Sequence, residues 1–148
     1  MATAPSPRID PPYRRYTPHP LHAILLAFPV ALFSSALISD ITYLNSAEMQ
    51  WSNFSAWLIT GGLIFGAPVL LWSAISLVRG RKQANRTPAL AYFLLILVMW
   101  TAGFVNAFKH SQDAWSSVGT TGVILSVLST LASIAAAWLL HAAKEPRA

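Results

Sequence analysis

The chain has 148 residues, of which 55% are hydrophobic and only 10% are charged, a composition too apolar for a typical soluble domain. It contains no cysteine, which excludes disulfides, thiolate metal sites, iron–sulfur clusters and cysteine nucleophiles. The net charge of +5 comes from short basic tracts between apolar runs, so we expect contact with a lipid bilayer and no binding of nucleic acid.

The first 17 residues are rich in proline and lack the apolar stretch that a signal peptide would place before the first apolar run. We expect them to form an extended tail, with Arg14 and Arg15 near anionic lipid headgroups. A membrane domain is predicted for residues 18–143, followed by a second short tail at residues 144–148.

Four apolar stretches are each long enough to cross the bilayer core as a helix, which takes about 20 residues. They cover residues 20–39, 55–78, 88–108 and 117–141, and none contains a charged residue. The predicted fold is therefore all-α, an integral membrane four-helix bundle. Because the lysines and arginines cluster in the two tails and in the loop after the second helix, the positive-inside rule predicts that both termini are cytoplasmic.

Histidines mark the start of the first helix and the end of the fourth. His22 and His141 are expected at the same depth, and two imidazoles from facing helices are a typical way for a bundle to hold b-type haem. His19, three residues before His22, could support such a ligand or simply cap the helix. The alternative is that these histidines lie at the membrane interface without a ligand.

A second candidate site begins at Asp40, eighteen residues or five helical turns after His22 and so on the same helix face. A carboxylate at the end of a span usually has a partner, and Lys109, His110 and Asn106 are the candidates. One interpretation is a solvated charge pair at the interface. The other is a proton-handling or quinone site formed by Asp40, His110 and Asn106.

Small residues indicate how the helices pack. Gly62 and Gly66 on the second helix are expected to admit a neighbouring backbone closely. A stripe of small residues on the fourth helix is expected to serve packing as well, and it comprises Gly119, Gly122, Ser126, Ser129, Ser133 and Ala137.

Motifs for catalysis are missing from the sequence. It contains no glycine-rich phosphate loop, no Gly-x-Ser-x-Gly elbow and no His-Glu-x-x-His pair. We therefore predict no catalytic residue and no metal site, and do not expect an enzyme that acts alone.

The segment His19–Asp40 resembles the start of a bacterial family of small four-span membrane proteins, catalogued as domain of unknown function 2231. The shared pattern is a His-Pro pair opening the first helix, a Phe-Pro pair in its middle and an aspartate near its end, here at residues 19–20, 28–29 and 40. The resemblance covers the chain from Pro18 onward and implies a four-helix bundle in the bacterial inner membrane with a redox association. Relatives occur beside periplasmic quinoprotein sugar dehydrogenases or carry Rieske-like partners. Many relatives open the third helix with a histidine, which this chain lacks at residues 87–92.

Three functions follow as hypotheses. The first is an accessory or anchoring subunit, with no catalytic centre of its own, for a periplasmic or membrane dehydrogenase; residues 40–54 would form its docking loop. The second is an electron-transfer protein that binds b-type haem or quinone. A small transporter is the third and has less support, because the predicted spans contain no charge for a site at the membrane midplane.

Overall fold

The computed structural model describes residues 13–15, 18–80, 87–111, 118–142 and 144–146. Most of these residues lie in four helices: α1 (Pro20–Ser46), α2 (Met49–Arg79), α3 (Thr87–His110) and α4 (Thr120–Ala142). All four are long and apolar enough to cross a membrane. The prediction of an all-α fold with four candidate membrane spans is confirmed.

The turn between α1 and α2 is much shorter than predicted. Only Ala47 and Glu48 separate the two helices. Ala47 adopts the left-handed conformation, with φ 56°, and its N–H donates to the carbonyl of Tyr43, which closes α1. The prediction that residues 40–54 form a loop is therefore wrong, and docking of a partner at these residues stays a prediction. Polar side chains there bond to carbonyls four residues earlier, as Thr42 does, and so remain compatible with the helix.

Two short strands bring the ends of the chain together. Strand β1 (Tyr13–Arg15) pairs antiparallel with β2 (Lys144–Pro146), at the end of the bundle where α1 begins and α4 ends. The cytoplasmic location of both termini stays a prediction. Residues 1–12 of the predicted tail, residues 81–86 of the basic loop and Ser117, at the predicted start of the fourth helix, lie outside the described residues.

The helices form a four-membered ring. α1 and α3 each pack against both α2 and α4, so α1 and α3 face each other across the diagonal. Their inward faces, together with those of α2 and α4, bury an apolar core, while many large apolar side chains on all four helices point outward, as a lipid-facing surface requires. The largest apolar side chains in the core are Leu26, Phe33, Ile59, Val69, Ile96 and Met99.

Phe33 occupies the centre of this core, between glycines of two neighbouring helices. A Cβ atom added to Gly62 would lie 3.0 Å from Phe33 Cζ, and one added to Gly103 would lie 2.7 Å from the same atom. Gly66 faces the side chains of Met99 and Trp100. The expectation that Gly62 and Gly66 admit a neighbouring backbone is thus corrected, because side chains fill the space that they leave.

Candidate functional site

Asp40 lies on the inward face of α1 and is completely buried. That face is built by helical periodicity, since Phe33, Ala36 and Asp40 follow one another at intervals of three and four residues. The predicted span ended at Ser39, but α1 continues for seven residues and carries the carboxyl group inside the bundle. A buried ionisable group in a membrane helix is costly unless it has a partner.

The partner is His110, the last residue of α3. Its Nε2 atom lies 2.8 Å from Asp40 Oδ1, and both side chains have 0% exposure. The interpretation as a solvated charge pair is therefore wrong. Of the other two predicted partners, Asn106 joins the same cluster indirectly, whereas no ion pair links Lys109 to Asp40 within the described part of the chain.

The hydrogen bonds of His110 fix how many protons the pair holds. His110 Nδ1 lies 3.0 Å from the backbone carbonyl oxygen of Asn106, which can only accept, so Nδ1 carries a hydrogen. Contact between Nε2 and Asp40 Oδ1 then requires one proton between them, carried either by the imidazole or by the carboxyl group. In both cases the Asp40–His110 couple has no net charge, which suits its location.

The second carboxyl oxygen is held by a chain of hydrogen bonds from α3 through α4. Asn106 Nδ2 donates to Ser126 Oγ at 2.7 Å, and Ser126 Oγ donates to Asp40 Oδ2 at 2.5 Å. The Asn106 amide nitrogen can only donate, so it uses a lone pair of Ser126 Oγ and leaves the serine hydrogen for the carboxyl group. Oδ2 is therefore an acceptor, and the shared proton lies on the side of Oδ1 and His110.

One polar atom of this cluster has no partner. Asn106 is 1% exposed, and its Oδ1 atom is buried without a hydrogen bond to any described residue. An unpartnered buried acceptor costs free energy and is rare in folded proteins. The Asp40 site thus combines a neutral proton-sharing couple with an open hydrogen-bond acceptor.

A second polar contact crosses between α1 and α3 at the opposite end of the bundle. His22 is 4% exposed, and its Nε2 atom lies 2.7 Å from the hydroxyl of Tyr92. The Trp72 ring lies near both first-helix histidines, with centroid separations of 5.2 Å to His22 and 5.4 Å to His19. His19 also caps α1, its Nδ1 accepting from the N–H of Leu21. The Nδ1 atom of His22 is buried and has no partner among the described residues.

The two predicted haem ligands are not brought together by a direct contact. His141 is exposed at the end of α4, and its Nδ1 lies 2.8 Å from the carbonyl of Ala137 in the same helix. Within the described ranges, no hydrogen bond or ring contact joins it to His22. No group of three or more metal-binding side chains occurs there either.

Tyr92, Trp72 and the role of Ser126 were not predicted from the sequence. A signal for Tyr92 was present: it precedes His110 by eighteen residues, the same interval that separates His22 from Asp40. On two helices that run in the same direction, equal spacing lets the first residues of each pair meet at one end of the bundle and the second residues meet at the other. Eighteen residues at 1.5 Å per residue separate the two contacts by about 27 Å. Ser126 was assigned to packing because nothing in the sequence gives the register of α4 against α1.

Comparison with known proteins gives one match. The family model described as predicted membrane protein (DUF2231) matches residues 18–141, which cover all four helices except the last residue of α4. No curated protein and no solved structure matches the chain.

Proposed function

Because the chain belongs to the DUF2231 family of membrane proteins, whose description states no activity, we propose a function from its buried site: a membrane subunit of an oxidoreductase that exchanges protons through the Asp40–His110 couple. The subunit has no catalytic centre of its own and takes its electrons from its partner. The partner is a membrane or periplasmic dehydrogenase in the bacterial inner membrane. The family resemblance of residues 19–40, with its redox association, supports this part of the proposal.

The observation that carries the proposal is the complete burial of an aspartate–histidine pair inside a membrane-length helix bundle. Ionisable side chains are rare in membrane spans and usually mark sites of proton or ion handling. Asp40 and His110 share one proton, so the couple can give it up or accept another as its surroundings change.

Quinone is the redox carrier best suited to this chemistry. Reduction of a quinone to a quinol takes up two electrons and two protons, with one proton going to each carbonyl oxygen. In the proposed function the partner dehydrogenase supplies both electrons. The Asp40–His110 couple supplies the proton for one carbonyl oxygen and is reprotonated from water, and the proton for the other carbonyl oxygen comes from water directly. Asn106 Oδ1, which has no described partner, is suited to accept from a quinol hydroxyl.

The test is a titration of the detergent-purified protein with decylubiquinone, followed by quenching of tryptophan fluorescence. Trp51 can report on this end of the bundle, because its backbone carbonyl accepts from Ser39, the neighbour of Asp40. We expect saturable quenching, with affinity about tenfold weaker in Asp40→Asn and in His110→Leu, as loss of a charge-assisted hydrogen bond implies.

The matched control is Glu48→Gln, which removes an exposed carboxylate at the same end and should bind as the parent protein does. Equal affinity in Asp40→Asn would contradict the quinone assignment. The subunit part is tested by purification from native membranes in mild detergent. Recovery of an oxidoreductase in an amount equal to that of the chain supports the subunit assignment, and recovery of the chain alone overturns it.

The second candidate function is b-type haem binding by His22 and His141, and the unpartnered Nδ1 of His22 favours it. This function requires His141 to turn from the carbonyl of Ala137 and His22 to face the same iron. A reduced-minus-oxidised absorption spectrum of protein purified from its native host tests it. A b-type α-band that disappears in both His22→Ala and His141→Ala would establish the haem. A flat spectrum would rule it out.

A further inference from the structure

We propose that Asn106 and Ser126 form a reversible relay that lets the Asp40–His110 couple hold a second proton. The proposal rests on the proposed function, because proton exchange requires the couple to change its number of protons. The relay comprises Asn106 Nδ2 donating to Ser126 Oγ at 2.7 Å and Ser126 Oγ donating to Asp40 Oδ2 at 2.5 Å.

In the state described above, no place is left for another proton on the couple. His110 Nδ1 is bound to a carbonyl oxygen, the line between Nε2 and Oδ1 already holds one proton, and Oδ2 faces the hydrogen of Ser126. A proton added to Oδ2 would point directly at that hydrogen. Uptake therefore requires the serine hydroxyl to turn away.

Asn106 provides the acceptor for the turned hydroxyl. Rotation of its amide by 180° exchanges Nδ2 and Oδ1, and so brings toward Ser126 the oxygen that is now buried without a partner. The chain then runs in reverse: the new Oδ2–H donates to Ser126 Oγ, and Ser126 donates to Asn106 Oδ1. One amide atom of Asn106 is unpartnered in either orientation, so that cost is similar in both states.

The protons balance in this step. One proton passes from water to Asp40 Oδ2, the proton between Oδ1 and His110 Nε2 then lies on the imidazole, and the hydrogen of Ser126 only changes direction. The couple changes from neutral to a charge of +1. Among the described residues, α2 and α4 face this end with serines and threonines. The other charged or titratable groups there are Tyr43 on α1, Glu48 before α2 and Lys109 on α3.

The test is infrared difference spectroscopy during acidification of the purified protein labelled with ¹³C at the aspartate carboxyl carbon. Loss of a band in Asp40→Asn identifies the carboxyl stretch of Asp40. In the parent protein we expect this band to change as the couple takes up its second proton: it appears where the shared proton lay on the imidazole, and it shifts where that proton lay on the carboxyl group. In Asn106→Leu, a proton concentration about tenfold higher should be needed, because the turned hydroxyl of Ser126 loses its acceptor. Ser126→Ala removes both the donor to the unprotonated carboxyl oxygen and the acceptor of the protonated one, so Asn106→Leu should have no further effect in that background.

Two further variants separate the relay from general packing. Ser126→Thr keeps the hydroxyl and should titrate as the parent protein does. Ser129→Ala removes a buried hydroxyl on the same helix that donates to the carbonyl of Leu125, outside the relay, and should also titrate normally. Parent-like uptake in Asn106→Leu, or an equal effect of Asn106→Leu with and without Ser126, would overturn the relay and leave the proposed function standing. Absence of uptake in the parent protein would also overturn the relay, whereas the decylubiquinone titration decides the proposed function.

Discussion

Replacing Asp40 with alanine is expected to lower the free energy of unfolding by about 3–5 kcal/mol, the usual cost of removing one partner from a buried ionisable pair. The change leaves His110 Nε2 and Ser126 Oγ without the carboxyl oxygens that they contact at 2.8 and 2.5 Å. Both groups are buried, so water cannot replace the lost contacts. The measurement is unfolding in detergent micelles, followed by circular dichroism.

The control for this prediction is Glu48→Ala, which removes a carboxylate from the same end of the bundle. Glu48 is exposed and its side chain makes no capping hydrogen bond, so we expect a change of no more than about 0.5 kcal/mol. His110→Ala and the double variant complete a thermodynamic cycle. A coupling energy of about 1 kcal/mol or more is expected. If the two single effects simply added, Asp40 and His110 would not interact directly.

The helices and half of the Asp40 site could be predicted from simple periodicities. Apolar stretches of about 20 residues located the four spans, because a membrane requires each segment to satisfy its own backbone. The interval of eighteen residues placed His22 and Asp40 on one face of α1, and the structure buries both there. His110 was among the candidate partners of Asp40 because it ends a helix that runs in the same direction as α1.

The other half of the Asp40 site and the contact of His22 depend on how the helices pack against one another, which the sequence does not show. Ser126 reaches Asp40 only through the register of α4 against α1, because a shift of one residue along α4 would rotate its hydroxyl by about 100°. Burial of Asp40 was not predicted because α1 extends beyond the predicted end of the span. The polar residues there suggested a loop, but their side chains bond to carbonyls of their own helix, as Thr42 does. His22 was interpreted as a ligand because the equal spacing that brings Tyr92 to it was not recognised in the sequence.

The second large effect is expected from Gly103→Ala, in the middle of the bundle. An added Cβ atom would lie 2.7 Å from Phe33 Cζ and 2.8 Å from Cε1, closer than real Cβ atoms approach. The aromatic ring has little room to withdraw, because it is fully buried, and even a Cβ atom added to Gly62 on α2 would lie only 3.0 Å from Cζ. The backbone carbonyl of Phe33 also accepts from Thr130. Overpacking of this kind typically lowers the free energy of unfolding by about 1–3 kcal/mol, measurable by thermal unfolding in detergent.

Gly61→Ala is the matched control, because the added Cβ would meet mainly Leu32 Cδ1 at 3.2 Å, the end of a flexible side chain. Both changes replace a helical glycine by alanine and gain the same helix propensity, so the difference between them isolates the contact with Phe33. Adding Phe33→Leu to Gly103→Ala should recover part of the loss, since leucine lacks the ring atoms that clash. If Gly103→Ala and Gly61→Ala were equally stable, the ring of Phe33 could not be the rigid element that joins α1 to α2 and α3. Other contacts would then have to hold α1 in the position that brings His22 to Tyr92 and Asp40 to His110.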